Sequence, residues 1–190
     1  MSTDEQATAP AELLDEQFLR DFASRWHAAW NAYDPQQVAA LCTDDVEWQQ
    51  PSSPPLPHGY DGAALLVKQL HRASPDYRFA ETEPPYASFD RRKAIVPWRF
   101  TGTMTGPLDP PGLAPTGTRI EFEGDDHWEF RGDLVYRCRV LYDANNVAMQ
   151  LGASPAPGSR GERLGWRCST CRRGGCADAP PASGKERNNV

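Results

Sequence analysis

The 190-residue chain has room for one ordinary domain with material to spare at its ends, and its net charge of −6 is unevenly spread. Residues 153–190 carry seven basic and three acidic side chains, net +4, which leaves −10 on residues 1–152 and argues against nucleic-acid binding by the main domain. No run approaches the roughly 20 apolar residues of a membrane helix, and the opening Met-Ser-Thr-Asp-Glu-Gln is acidic where a secretory signal is basic and then apolar, so the expectation is a soluble, cytoplasmic protein with no membrane partner.

In chain order, residues 1–10 read as disordered. A helix is predicted from about Ala11 to Ala32, because Phe18, Phe22, Trp26 and Trp30 recur every four residues and make one buried stripe. Asp34 and Pro35 suit the cap and first turn of a short second helix to Leu41, after which Val46–Gln50 reads as a strand with Val46, Trp48 and Gln50 inward. A proline-rich loop, 51–57, precedes a third helix over Ala63–Arg72. Strands are predicted at Tyr77–Thr82, Tyr86–Asp90, Lys93–Thr103, Thr118–Phe130 and Leu134–Tyr142, with Arg131-Gly-Asp133 joining the last two as a hairpin. On the final strand Tyr136, Cys138 and Tyr142 share the expected inner row.

Three helices followed by a curled, largely antiparallel sheet is an α+β plan, a cone whose cavity the first helix closes on one side. The domain is expected over 11–152, with 153–190 a disordered Gly/Pro/Arg/Cys tail. An odd total of five cysteines suits reduced thiols. Cys168, Cys171 and Cys176 supply three soft ligands where a closed zinc site wants four, so no metal is expected.

The predicted strand from Arg119 onward holds the most informative residue. Its even positions are Ile120, Phe122, Gly124, Asp126, Trp128 and Phe130, and its odd ones are polar, which is the pattern of a half-buried strand with an acid in its apolar row. Such a carboxyl is either a structural acid bonded to a neighbouring strand or a group with a role in a pocket. In a pocket, burial raises its pKa so that it donates a hydrogen bond or cycles as a general acid. On the strand before it, Val96, Trp98 and Phe100 form one row and Arg99 and Thr101 the other. Apolarity turns the tryptophan row inward. His27 lies one step off the aromatic stripe and His127 in the outward row, so each reads as a rim or solvated histidine.

Two segments carry a family resemblance: Arg25-Trp-His-Ala-Ala-Trp-Asn-Ala-Tyr-Asp-Pro35 and Val38-Ala-Ala-Leu-Cys-Thr-Asp-Asp-Val-Glu-Trp48. Together with Gly102-Thr-Met-Thr-Gly106, Phe130-Arg-Gly-Asp133 and Gln150-Leu-Gly152, they resemble ketosteroid isomerase and SnoaL-like proteins of the nuclear transport factor 2-like superfamily. The resemblance covers about residues 12–152. It implies the cone-shaped fold, a homodimer paired through the open sheet, and cofactor-independent chemistry. Asp126 matches the isomerase's protonated oxyanion-hole aspartate. The isomerase's tyrosine falls at Trp26 and its general base at Gln50. The acids expected in related aldol cyclases and epoxide hydrolases fall at Val140 and Thr101. The epoxide-hydrolase likeness also turns Arg99 inward, against the apolar pattern, so its direction stays open.

The expected function is therefore proton transfer on a hydrophobic, polycyclic or polyketide-type metabolite: cyclisation, isomerisation or dehydration. Asp126 is the catalytic candidate, with Trp26, Trp30, Trp48, Gln50, Arg99, Trp128 and Tyr142 as substrate-binding candidates and no cofactor. The alternative is a non-catalytic binding or dimerisation module of the same fold.

Overall fold

The computed structural model describes residues 14–51, 55–90, 92–109, 112–155, 158–159 and 161. Residues 1–10 and the three tail cysteines lie outside them. The chain divides into two compact units after Ala153, and every element described here belongs to the first. Helix α1 (Glu16–Asn31) opens where the Asp15 carboxylate accepts a 2.6 Å hydrogen bond from the Phe18 N–H. Helix α2 (Pro35–Ala39) is capped by Asp34 with proline in its first turn. Strand β1 (Cys42–Gln49) leads to α3 (Gly59–Ala73), and then come β2 (Arg78–Glu81), β3 (Tyr86–Ala87), β4 (Lys93–Thr103), β5 (Arg119–Arg131), β6 (Leu134–Tyr142) and α4 (Ala144–Gln150). No helix is long and apolar enough to cross a membrane among the described residues.

The strands form one mixed sheet in the order β1-β6-β5-β4-β2, with β3 also on β4. Only β1–β6 is parallel; β2, β3, β5 and β6 find antiparallel partners. Helices on one face of a curved mixed sheet make the α+β architecture that the sequence predicts. Two elements differ from expectation. Strand β1 starts four residues early, because pairing with β6 from Cys42↔Val135 satisfies its backbone despite polar side chains at 43–45. Helix α4 was not expected, since seven residues are too few for a periodic signal. It forms under an Asp143 cap, and the Gln150 amide exchanges two hydrogen bonds with the Glu121 backbone.

The even residues of β4 and β5 face the helices, as the alternation predicts. They meet Leu19, Phe22, Trp26 and Trp30 of α1 in a core where Trp26 lies 5.0 Å from Trp128 and 6.0 Å from Trp48, ring centre to ring centre. A register shift beyond Glu129 breaks the phase of β6. Val135 takes the buried place, and Tyr136 turns out to bond Glu129 rather than sharing the inner row with Cys138. At the other end of α1, the Asn31 amide donates to the Phe79 carbonyl and accepts from the Phe79 N–H, each at 2.8 Å, which ties the helix to the outer edge of β2.

Two glycines make room for tryptophans. A Cβ at Gly62 would stand 2.3 Å from the Trp48 ring, and one at Gly124 would stand 2.5 Å from the Trp98 ring and 2.6 Å from the Leu141 carbonyl. Gly124 faces Trp98 directly across β4–β5, so a side chain there must push the indole out of the inner row. Gly124→Val is expected to lower stability by about 1–3 kcal/mol, as overpacked cores do, read as a lower midpoint in urea unfolding. An unchanged midpoint would show that the indole has somewhere else to go.

Candidate functional site

Asp126 sits in the middle of β5 with Val96 and Val140 beside it on the flanking strands, so its carboxyl rises from an apolar surface. It is only 7% exposed. Two indoles hold it: Trp26 from α1 donates Nε1–H to Oδ2 at 2.8 Å, and Trp98 from β4 donates to Oδ1 at 3.0 Å. The Trp128 indole N–H adds a weak pull on the same charge, without reaching hydrogen-bond geometry. Burial pushes the Asp126 pKa up, the tryptophan N–H groups pull it down, and burial wins, leaving it at about 6. Both oxygens accept, which favours the anion. Its pKa thus lies well above that of an ordinary aspartate and close to neutrality.

Asp126 lines a pocket of about 80 Å³ together with Trp26, Trp30, Trp48, Gln50 and Tyr142. Six of the eight residues singled out from the sequence therefore come to one place. The rest of the wall is aromatic and aliphatic, with Trp98, Phe79, Phe100 and Phe122 among its members. Trp48 and Gln50 also border an outer pocket of about 360 Å³ against Pro55 and Leu56 of the proline-rich loop and His58 at the start of α3. Those two side chains line both spaces.

Two of the eight are elsewhere. Arg99 is exposed on the opposite face, donating to Glu123 at 2.8 Å with Glu121 nearby, because the apolar Val96, Trp98 and Phe100 row takes the interior. Its inward reading is corrected. Trp128 is fully buried behind Asp126, packed edge-on against Phe22 and Phe130, and is not among the cavity-lining residues. It is a core residue beside the carboxyl.

His27 was expected at the rim and is instead 8% exposed and part of the cavity wall. Burial lowers its pKa to about 4, so the imidazole is neutral at pH 7. The stripe at four-residue spacing hid it. A helix face wide enough to include i+1 positions was the signal available. Its Nε2 and the Trp30 Nε1 are buried with no hydrogen-bond partner among the described residues, whereas Trp48 Nε1 donates to the Gly59 carbonyl at 3.1 Å. His127 lies in the outward row near Arg139, as alternation predicts. Burial pushes the Cys42 thiol up to about 12 and the Cys138 thiol well above its usual value, so neither is a nucleophile at neutral pH. No group of three or more His, Cys, Asp or Glu side chains is placed to hold a metal ion among the described residues.

Compared with known families, residues 23–138 match the SnoaL-like domain. No curated protein matches. Among solved structures, TsrD from Streptomyces laurentii is 20% identical, with 74% of this chain and 99% of that one aligned at a TM-score of 0.64. A SnoaL-like polyketide cyclase candidate from Jannaschia sp. CCS1 is 17% identical over 79% and 99% of the two chains, TM-score 0.63. A protein of ketosteroid isomerase-like fold from Catenulispora acidiphila DSM 44928, solved in complex with trimethylamine, is 16% identical over 72% and 98%, TM-score 0.58. Likeness at this distance speaks for the fold. With the matching segment running from the middle of α1 to Cys138 in β6, the chain belongs to the SnoaL-like domain family.

Proposed function

We propose that this protein is a proton-transfer enzyme for a hydrophobic carbonyl compound, and that Asp126 is the group that takes and returns the proton. The observation that carries this reading is a carboxyl buried in an aromatic cavity, pinned by Trp26 and Trp98, with its pKa raised to about 6. A general base works best when its pKa lies near the operating pH. The pair of indoles holds it at a fixed position, so removing a proton from a carbon next to a carbonyl needs little rearrangement.

Cavity size narrows the substrate. About 80 Å³ is roughly half the space that admits benzene in an engineered protein cavity. The polycyclic or polyketide-type molecule expected from the resemblance does not fit inside whole. It would place one small carbonyl-bearing end beside Asp126 and its bulk in the outer pocket past Trp48 and Gln50. Pairing of two copies through the outer sheet face, where Ile95 and Leu141 are exposed, belongs to the same proposal.

A second reading, binding without turnover, draws support from Gln50, Val140 and Thr101 standing where related enzymes carry acids. It also draws on the trimethylamine in the similar Catenulispora structure. Aromatic walls around a carboxylate suit a small organic cation. A tryptophan-fluorescence titration with trimethylamine separates the readings. Tight binding that Asp126→Asn abolishes, together with no proton exchange on any small ketone, would favour the second.

On the first reading, kcat/KM rises with pH to a plateau above an apparent pKa near 6 and is roughly tenfold lower at pH 5. Asp126→Asn is expected to cut turnover by about 10²–10⁴-fold, measured as deuterium exchange into a small ketone. Full exchange by that variant would sink the role.

The same shifts act on stability. Asp126 rises from 3.8 to about 6 in the fold, so between those values the native state holds more protons than the unfolded chain and stability falls as pH rises. His27 drops from 6.5 to about 4, so there the unfolded chain holds more protons and stability rises with pH over that range. Each effect is about 3 kcal/mol at most, and in the wild type they oppose each other. The stability curve of Asp126→Asn is expected to climb between pH 4 and 6.5, and that of His27→Gln to decline. Denaturant midpoints at pH 4.5 and 7 read this, and parallel behaviour of the three proteins would contradict it.

A further inference from the structure

The outward face of the sheet carries charges that the Asp126 pocket does not use. Lys93, Glu129, Arg137 and Glu47 stand in register across β4, β5, β6 and β1 as a ladder of alternating sign. Its carboxylates are engaged. Glu129 meets Lys93 at 3.2 Å, Arg137 at 3.3 Å and the Tyr136 hydroxyl at 2.7 Å, and Glu47 meets Arg137 at 2.8 Å. The next outward row reads Tyr86, Ile95, His127, Arg139 and Gln49, and it holds no acid. Arg99 has Glu123 at 2.8 Å and Arg131 has Asp45 at 3.1 Å, whereas Arg139 has no ion-pair partner among the described residues. Its guanidinium makes one long contact, 3.5 Å, to His127 Nδ1, which leaves most of its five N–H donors without a protein acceptor. All five residues of this row, with Lys93, Glu129 and Arg137 of the first, border a groove of about 470 Å³. The groove therefore holds three fixed cations and one carboxylate, net +2, in a domain whose residues 1–152 carry −10. His127 adds no charge near pH 7, because burial and then Arg139 lower its pKa against a weaker pull from Asp125.

We propose that this groove is a second ligand site, on the opposite face of the sheet from the Asp126 pocket, and that it takes a small organic carboxylate. Arg139 receives the carboxylate, because the planar guanidinium fork matches two carboxylate oxygens at once. Ile95 and Tyr86, 37% and 51% exposed, offer apolar surface in the same row for the body of the ligand. Lys93 and Arg137 stay with Glu129 and contribute a positive field along the groove. The volume falls within the range of about 300–1,000 Å³ usual for small-molecule sites, and a concavity of that size favours a small ligand over a flat partner surface. The site goes beyond the proton-transfer reading and does not depend on it. A second copy seated over Ile95 would compete for the same groove, and the experiment separates the two occupants.

The test titrates para-fluorobenzoate with the full chain and follows the fluorine line by NMR. Saturable binding is expected, and it should weaken with added salt. Arg139→Gln should lower the affinity by about 10–100-fold, the size of a hydrogen bond to a charged group, and Arg139→Lys should recover part of the loss. Arg139 is exposed, so neither substitution disturbs the core. Para-fluorobenzamide, of the same shape without the charge, should bind the wild type as weakly as para-fluorobenzoate binds Arg139→Gln. Asp126→Asn should leave carboxylate binding unchanged, and Arg139→Gln should leave hydrogen exchange into a small ketone unchanged, so the two sites can fail separately. Equal affinity of the wild type and Arg139→Gln, equal affinity for acid and amide, or no binding of para-fluorobenzoate overturns the proposal. Sedimentation velocity on the same samples names the competing occupant: if the acid does not bind and Arg139→Gln turns a dimer into a monomer, the groove belongs to a second copy of the chain.

Discussion

The hydrogen bonds from Trp26 and Trp98 to the Asp126 carboxyl are the constraint around which this fold is arranged. They join α1, β4 and β5 at one point in the core, and they are the main compensation for a charge that apolar surroundings would otherwise neutralise. Much of the nearby sequence serves to place those indoles. Gly124 opens the space that Trp98 fills, Phe22 and Trp128 brace Trp26, and the inward row of β4 turns Arg99 out to its own carboxylate partners. An acid supported by indoles differs from one supported by arginine. Its donors carry no charge, so the anion is tolerated rather than locked in, and its pKa stays near neutrality instead of falling below 4.

With Gln50 and Val140 in its wall, Asp126 is the only carboxyl that lines the pocket among the described residues. On α1, His27 Nε2 and Trp30 Nε1 are buried without a hydrogen-bond partner among the described residues, in contrast to the two indoles that Asp126 engages.

The fold was legible from the sequence because period-two and period-four patterns are long here: β4 and β5 run 11 and 13 residues and α1 runs 16. Asp126 stood out for the same reason, as a polar residue in an apolar row. What stayed hidden depends on partners or on phase. Strand β1 begins early because β6 offers its backbone, the slip beyond Glu129 moves Tyr136 outward, and α4 is too short to announce itself. A stripe drawn through Phe18, Phe22, Trp26 and Trp30 is narrower than the face α1 buries against the curved sheet, so the pattern leaves His27 outside a wall to which it belongs. The likeness to epoxide hydrolases pointed Arg99 inward, and the plain alternation of apolar residues gave the better answer.

Asn31 has a meaning beyond tying α1 to the sheet. β2 is the last strand in its order, and the outer N–H and C=O of Phe79 are the groups that a strand from another chain would seize. By occupying both, the Asn31 amide poses as the next strand, two hydrogen bonds long, and ends the sheet there. The helix that walls the pocket thereby also covers a sheet edge open to edge-to-edge pairing, so a change at this one amide would bare that edge while leaving the pocket's lining residues in place.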